Sequence, residues 1–202
     1  MTGKIRIIGG QWRGRKLVVP DRPGLRPTGD RARETLFNWI GPAIVGARVL
    51  DLFAGSGALG LEAASRGAAR VVLVERDGVA IQALREGPAL WPGGSVLELV
   101  QADALSWLTR TGESFDLILI DPPFAAHLHQ AAMTAVLARP ALLSERALIY
   151  VESSPEGFRA EDWADRLELR RQKRQGDVVL SLLQARASAD PAAIIASSCP
   201  TE

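Results

Sequence analysis

Residues 49–60 read VLDLFAGSGALG, an apolar run that ends in a glycine-rich turn. Gly55, Gly57 and Gly60 match the G-x-G-x-x-G spacing that occurs where a strand meets a helix beside a bound cofactor. The missing side chains let the backbone turn tightly and approach a ligand, and the N-terminus of the following helix offers free N–H groups. The stretch therefore predicts a strand–turn–helix unit with a ligand beside the turn.

Three carboxylates near predicted strand ends distinguish between two candidate ligands, since nicotinamide dinucleotides and S-adenosylmethionine both use such a turn. Asp51, just before the turn, would repel a pyrophosphate, whereas it can hold the amino group of a methionyl tail directly or through water. Glu75 ends the next strand, where it can accept hydrogen bonds from both ribose hydroxyls. Asp103, after the third strand, can read the adenine amino group or cap a helix. The set favours S-adenosylmethionine.

A second motif, DPPF at residues 121–124, directly follows the apolar run 115–120. The Asp121 carboxylate and the Pro122 carbonyl are two acceptors that can bind both hydrogens of an exocyclic amino group and turn its lone pair toward a methyl donor. Pro122 and Pro123 stiffen the loop, and Phe124 offers a ring on which a flipped-out base can stack. The alternative is a plain strand-to-loop junction in which Phe124 fills core. Beside the glycine turn, the motif favours methyl transfer to a nucleobase amino group.

The pattern beyond residue 47 alternates strands with helices. Strands are predicted at 48–53, 70–75, 96–100, 115–121 and 147–152, and helices at 58–66, 78–90, 104–110 and 128–138. Apolar runs without polar alternation indicate strands covered on both faces, hence an α/β fold with a mostly parallel sheet. Runs 166–173 and 178–183 predict an antiparallel hairpin at the sheet edge.

The charge is distributed unevenly between the two ends of the chain. Residues 1–45 hold nine Lys or Arg residues against three Asp or Glu, although the whole chain has a net charge of only +1. In this N-terminal extension, two short strand-like runs, 4–8 and 15–19, predict a hairpin or a curled loop, and a helix is predicted at 30–40. A basic arm on an acidic body is expected when one end meets a polyanion, the alternative being a solvated, arginine-rich surface. We therefore divide the chain into this extension, a catalytic domain at 46–185 and an Ala- and Ser-rich tail at 186–202, which we expect to be disordered.

Composition argues against several classes of protein. The longest apolar runs are strand-sized, far short of a membrane span, so no membrane association is expected. Cys199 is the only cysteine, which rules out an intrachain disulfide and fits a reducing cytoplasm. Two histidines and one cysteine supply no metal-ligand cluster, and we expect His127 and His129 to be solvated loop residues.

Taken together, these motifs resemble the bacterial 16S ribosomal RNA guanine-N2 methyltransferases of the small subunit, over about residues 4–184. The segments that carry the resemblance are RIIGGQWRGRKL at 6–17, LRPT at 25–28, DRARETLFNW at 30–39, DLFAGSGALGLEA at 51–63 and the motif at Asp121. The resemblance implies a Rossmann-like class I S-adenosylmethionine-dependent methyltransferase with a seven-stranded sheet. It also implies one guanine of 16S rRNA as target, preferably within the assembled 30S subunit, and we expect a monomer.

The resemblance also assigns residues to each part of the site. The cofactor would be bound by Asp51, Phe53, Ala54, Gly55, Ser56, Gly57, Glu75, Arg76, Asp103, Ala104 and Asp121, and the base by Asp121, Pro122, Pro123 and Phe124. RNA phosphates would meet Arg6, Arg13, Arg15, Lys16, Arg26, Arg31 and Arg33, and Trp12 would stack on a base unless it packs within the hairpin. Gly87-Pro88 replaces a usual Asn of the family, which predicts that the preceding helix ends early.

Two rival functions remain open at this point. A DNA adenine-N6 methyltransferase can use the same acceptor loop, but it normally needs a larger duplex-reading domain than 45 residues supply. A ribosome-assembly factor could bind S-adenosylmethionine without turning it over.

Overall fold

The computed structural model describes residues 3–19, 29–123 and 128–186. The described chain begins with an antiparallel hairpin of β1 (Gly3–Arg6) and β2 (Lys16–Val19), and α1 (Asp30–Ile40) follows. The predicted N-terminal hairpin and helix are therefore confirmed. All but one residue of the predicted disordered tail, together with Arg26 and Phe124, lie outside the described residues.

A larger sheet of seven strands forms the centre of the molecule, in the order β5-β4-β3-β6-β7-β9-β8. Its strands are β3 (Arg48–Asp51), β4 (Arg70–Glu75), β5 (Leu97–Gln101), β6 (Phe115–Ile120), β7 (Leu143–Ser153), β8 (Leu167–Gln175) and β9 (Val178–Ala185). The first five pair in parallel, and β9 is antiparallel to both β7 and β8. This confirms the predicted fold class, including the antiparallel C-terminal hairpin.

Helices connect the parallel strands. They are α2 (Ala58–Ser65), α3 (Gly78–Glu86), α4 (Ala104–Leu108) and α5 (His129–Leu137), with short 3-10 turns at 41–44, 88–90, 94–96, 140–142 and 160–163. The helix α3 ends at Glu86 because Gly87 leaves helical geometry and Pro88 opens a 3-10 turn. The early end predicted from Gly87-Pro88 is confirmed, and the span predicted to residue 90 was too long.

Both faces of the sheet are buried at its central strands β3, β4 and β6, as the unbroken apolar runs indicated. Successive residues of one strand point to opposite faces. Thus Val49 and Val71 belong to one hydrophobic cluster, while Leu50 and Val72 belong to a second. Helices covering both faces leave the carboxyl ends of the parallel strands as the edge where a ligand binds in folds of this kind.

The N-terminal extension shares its core with the catalytic domain. Ile7, Trp12 and Leu17 of the hairpin region are buried in the same cluster as Val49 and Leu61 of the domain. The boundary at residue 45 therefore divides the sequence by charge and does not separate two hydrophobic cores.

Within the described ranges, no helix has the length and apolarity needed to cross a bilayer. The same ranges hold no group of three or more His, Cys, Asp and Glu side chains suited to a metal ion.

Candidate cofactor and acceptor site

The glycine turn joins β3 to α2 in a conformation that needs glycine. Gly55 and Gly57 have φ angles of 53° and 79°, in the left-handed region that side chains disfavour. A Cβ on Gly57 would also lie 2.7 Å from Leu84 Cδ2. The Ala54 N–H donates to the Val74 carbonyl at 2.9 Å, which attaches the turn to β4. The turn is thus held beside the carboxyl ends of β3 and β4.

The absence of a side chain at Gly60 lets α2 approach Asp51 closely enough to orient its carboxylate. A Cβ at Gly60 would lie 2.7 Å from Leu73 Cδ2 and 3.1 Å from Asp51 Oδ2. With no side chain there, the Gly60 N–H donates to Asp51 Oδ2 at 2.9 Å. The third glycine of the motif therefore fixes the carboxylate that precedes the turn.

Asp51 is the last residue of β3 and is 1% exposed. Its second oxygen, Oδ1, is buried and has no hydrogen-bond partner among the described residues. Burial raises the pKa of Asp51 to about 7, the Gly60 hydrogen bond opposes that rise, and the negative charges of Asp121 and Glu75 add to it. An unsatisfied buried acceptor costs about 1–3 kcal/mol. The amino group of a methionyl tail is the kind of donor that fits this oxygen, so the residues present fit S-adenosylmethionine.

Glu75 stands at the corresponding end of β4 and is half-buried. Its Oε2 accepts from the Gly55 N–H at 2.8 Å, and its Oε1 accepts from the Asp77 N–H at 2.7 Å. These two bonds fix the carboxylate next to the glycine turn, and each oxygen keeps a second lone pair for a hydroxyl.

Asp103 follows β5 and caps the next helix. It caps α4 by accepting from the Ser106 N–H at 2.9 Å, and it remains exposed. The Ser106 hydrogen bonds lower the pKa of Asp103, and the charge of Arg76 lowers it further. Arg76 is exposed and Ala104 is buried at the start of α4.

Asp121 directly follows β6, so it lies at the same sheet edge as Asp51. Leu119 pairs with Asp51 in the parallel β3–β6 register, and Asp121 is two residues further along. Its charge raises the pKa values of both Asp51 and Tyr150. Asp121 is half-buried, Pro122 is buried and Pro123 is exposed. The structure therefore brings two of the predicted cofactor carboxylates, Asp51 and Glu75, together with the predicted acceptor carboxylate Asp121.

A buried polar group beside this edge was missed in the sequence. The Tyr150 hydroxyl of β7 donates to Glu152 Oε2 at 3.0 Å, and burial, the largest cause, raises the Tyr150 pKa well above its ordinary value. His129 Nε2 lies 2.8 Å from the Glu152 carbonyl oxygen, which requires a proton on Nε2 because a carbonyl only accepts. The prediction of His129 as a solvated loop residue was wrong, since it is 3% exposed at the start of α5. One feature of the sequence could have pointed to Glu152 as a site residue. Like Asp51 and Glu75, it is a carboxylate at the end of a buried strand.

The predicted RNA contacts divide by exposure. Arg6, Arg13, Arg15, Lys16 and Arg31 are exposed. The prediction of RNA contact was wrong for two others, because Trp12 is 1% exposed and Arg33 is 0% exposed.

Trp12 and Arg33 both have partners in the protein interior. The Trp12 indole donates to the Pro92 carbonyl at 2.8 Å and meets Trp91 edge-on, with 5.4 Å between ring centroids. Arg33 donates to the Arg6 carbonyl at 3.0 Å and pairs with Glu62 at 3.4 Å. Neither side chain has a face available to RNA.

The fold, the glycine turn and the unsatisfied Asp51 oxygen fit an S-adenosylmethionine-dependent methyltransferase. Residues 5–184 match the family model described as conserved hypothetical protein 95, and the chain belongs to this family.

Relatives in the family are similar over most of the chain. Ribosomal RNA small subunit methyltransferase D of Escherichia coli strain K12 is 46% identical over 192 residues, which cover 94% of each chain. Its namesake in Haemophilus influenzae is 42% identical over 157 residues, covering 76% of this chain and 81% of that one. The solved structure of the Escherichia coli protein yhhF, described as a candidate methyltransferase, has a TM-score of 0.80 at 43% identity, covering 92% of this chain and 100% of that one. The resemblance stated from the motifs is confirmed.

Proposed function

We propose that this protein transfers a methyl group from S-adenosylmethionine to the exocyclic N2 of one guanine in 16S rRNA, within the assembled small subunit. The observation that carries the proposal is the position of Asp121 at the sheet edge shared with Asp51 and Glu75. The substrate class rests on the relatives, which are named ribosomal RNA small subunit methyltransferase D.

Asp121 and Pro122 would activate the acceptor. The guanine amino group is a poor nucleophile because its lone pair is delocalised into the ring. The Asp121 carboxylate and the Pro122 carbonyl accept its two hydrogens and turn the lone pair outward. S-adenosylmethionine supplies an electrophilic methyl group when bound. The Asp121 carboxylate, or water beside it, would take the surplus proton that the nitrogen loses on methylation.

Other residues of the same edge would hold the cofactor. Asp51 Oδ1 accepts from the methionyl amino group, and Glu75 accepts from the ribose hydroxyls. Asp103, with Arg76 and Ala104 nearby, meets the adenine. Phe53 and the backbone of residues 54–57 form the wall of the turn, and Phe124 stacks on the target base.

The exposed cations of the N-terminal extension would bind RNA phosphates. Arg6, Arg13, Arg15, Lys16 and Arg31 keep this role, because all five are exposed in the described structure. We propose a monomer that acts on the small subunit in the cytoplasm.

The direct test is methyl transfer with labelled cofactor to three substrates: undermethylated small subunits, naked 16S rRNA and double-stranded DNA. We expect label in the small subunits, on guanine N2 after nucleoside analysis, and much less in naked RNA. Label confined to DNA adenine would contradict the proposal and identify the rival enzyme. Stoichiometric cofactor binding without label in any polymer would indicate a binding factor.

A further inference from the structure

The outer strand of the C-terminal hairpin is a second basic surface that the N-terminal extension does not include. The strand β8 is the last strand of the sheet, and its residues 168–174 are all exposed. Within that stretch, Arg170, Arg171, Lys173 and Arg174 stand against one acidic residue, Glu168. An edge strand also presents unpaired backbone N–H groups to solvent.

The register places residues 170–174, the cationic half of β8, at the end of the sheet formed by the carboxyl ends of the parallel strands, which we call the catalytic edge. Arg174 pairs with Val179, and Val179 pairs with Ser153, the last residue of β7. Glu168 pairs with Gln184 toward the opposite edge. The positive charges therefore lie on the side where Asp51 and Asp121 end their strands.

Two of these cations have neither an ion pair nor a side-chain hydrogen bond within the described residues. Arg170 pairs with Glu168 at 2.7 Å, and Arg174 donates to the Gly176 carbonyl at 3.0 Å. Arg171 and Lys173 form no ion pair with any residue in the described part of the chain. They are free to meet an external anion.

The hairpin tip is attached to the basic N-terminal extension. The Gln175 amide donates to Thr35 Oγ1 of α1 at 2.8 Å. Arg31 precedes Thr35 by one helical turn and is exposed, so it lies on the same side of α1. One exposed cation of the N-terminal extension, Arg31, therefore lies close to the hairpin tip.

We propose that the cationic half of β8 binds RNA phosphates beside the target base. It would form a second RNA-binding surface, across the catalytic edge from the N-terminal extension. Charges on an edge strand also prevent strand-to-strand association. That role does not account for their concentration at one end, because the whole exposed edge needs protection. This inference rests on the proposed RNA substrate.

The test replaces the two unpaired cations with carboxylates, Arg171→Glu together with Lys173→Glu. Charges remain on the edge strand, so protection against association is kept while phosphate binding becomes repulsive. We expect the Kd for small-subunit RNA to rise at least about tenfold, and the log–log salt slope to fall by about 1.4–1.8, the value for two lost phosphate contacts. Cofactor affinity should be unchanged.

The matched control is Arg110→Glu together with Arg146→Glu, which changes net charge equally. Both are exposed, one between α4 and β6 and the other near the start of β7, away from the catalytic edge. A loss of RNA affinity in the β8 variant alone supports the inference. Equal affinities and slopes in the two variants would overturn it, whereas a wild-type protein that methylates no RNA would refute the proposed function itself.

Discussion

Asp51 is a carboxylate whose surroundings disfavour its charge. Burial is the largest cause that raises its pKa to about 7, and the charges of two further carboxylates add to the rise. One of its oxygens is also unsatisfied. A cationic amino group placed at Oδ1 would satisfy the oxygen and favour the ionised form. The binding of cofactor and the ionisation of Asp51 are therefore linked.

This linkage gives a pH dependence for cofactor affinity. Below pH 7 Asp51 is protonated in the free protein, and binding of an ammonium group must release that proton. We expect affinity for S-adenosylmethionine to increase by up to about tenfold per pH unit from pH 5.5 toward 7 and to level off above. Calorimetry in two buffers of different ionisation enthalpy measures the released proton. Asp51→Asn is the control, which should bind more weakly without this dependence, and a flat profile in the wild type would contradict the assigned role.

At the scale of elements, hydrogen bonds and ion pairs of Glu62 attach the N-terminal extension to the helix that follows the glycine turn. This residue of α2 is fully buried and accepts from the N–H groups of Ile8 and Gly9 at 2.9 and 2.8 Å. It also pairs with Arg33 of α1 and with Arg66 at 2.8 Å. Because α2 begins at the glycine turn, the basic extension and the cofactor edge form one packed unit.

A pair of glycine substitutions tests this docking. Gly10 and Gly14 both have positive φ, but a Cβ at Gly10 would lie 1.8 Å from the Ser65 carbonyl oxygen, while one at Gly14 meets nothing within 4 Å. Gly14→Ala should cost about 1–2 kcal/mol of unfolding free energy from backbone strain alone. Gly10→Ala should cost a further 1–3 kcal/mol or so, because α2 and the hairpin must separate. Urea denaturation measures both, and equal losses would show that the contact with α2 adds no stability.

Much of the fold and part of the site were predictable because they depend on local pattern. Strand ends, the glycine turn and the position of Asp121 follow from short segments whose periodicity and spacing are visible in the chain. For Trp12 the sequence left packing and RNA stacking open, and its partners Ser65 and Pro92 were not predictable because they are more than fifty residues away. Arg33 was misassigned for the same reason, since only the folded chain brings Glu62 to it.

The hydrogen bond of Tyr150 is a further feature of the site that could not be predicted from the sequence. Within the apolar run of β7 it is indistinguishable from a core aromatic residue, and only the structure shows its hydroxyl on Glu152 beside the acceptor edge. Strand length was also underestimated, because β7 begins at Leu143 through pairing with Phe115 of β6.

At the scale of the whole molecule, the exposed cations of the N-terminal extension lie on a domain whose catalytic edge is acidic. Replacing Arg13, Arg15 and Lys16 together with Ala should weaken RNA binding and lower the log–log salt slope by about 2–3, while cofactor affinity stays the same. The measurement is RNA binding over a series of salt concentrations, with Arg110→Ala and Arg146→Ala as exposed controls. An unchanged slope would mean that this surface faces away from the RNA.

The central claim is that the edge holding Asp51, Glu75 and Asp121 is where methyl transfer occurs. Its most direct test is the single-turnover rate of Asp121→Asn at saturating cofactor and saturating small subunits. We expect a rate reduced by about 10²- to 10³-fold, as when one preorganised polar group is removed from a reacting centre, with both binding affinities retained. A variant that transfers methyl groups at the wild-type rate would contradict it.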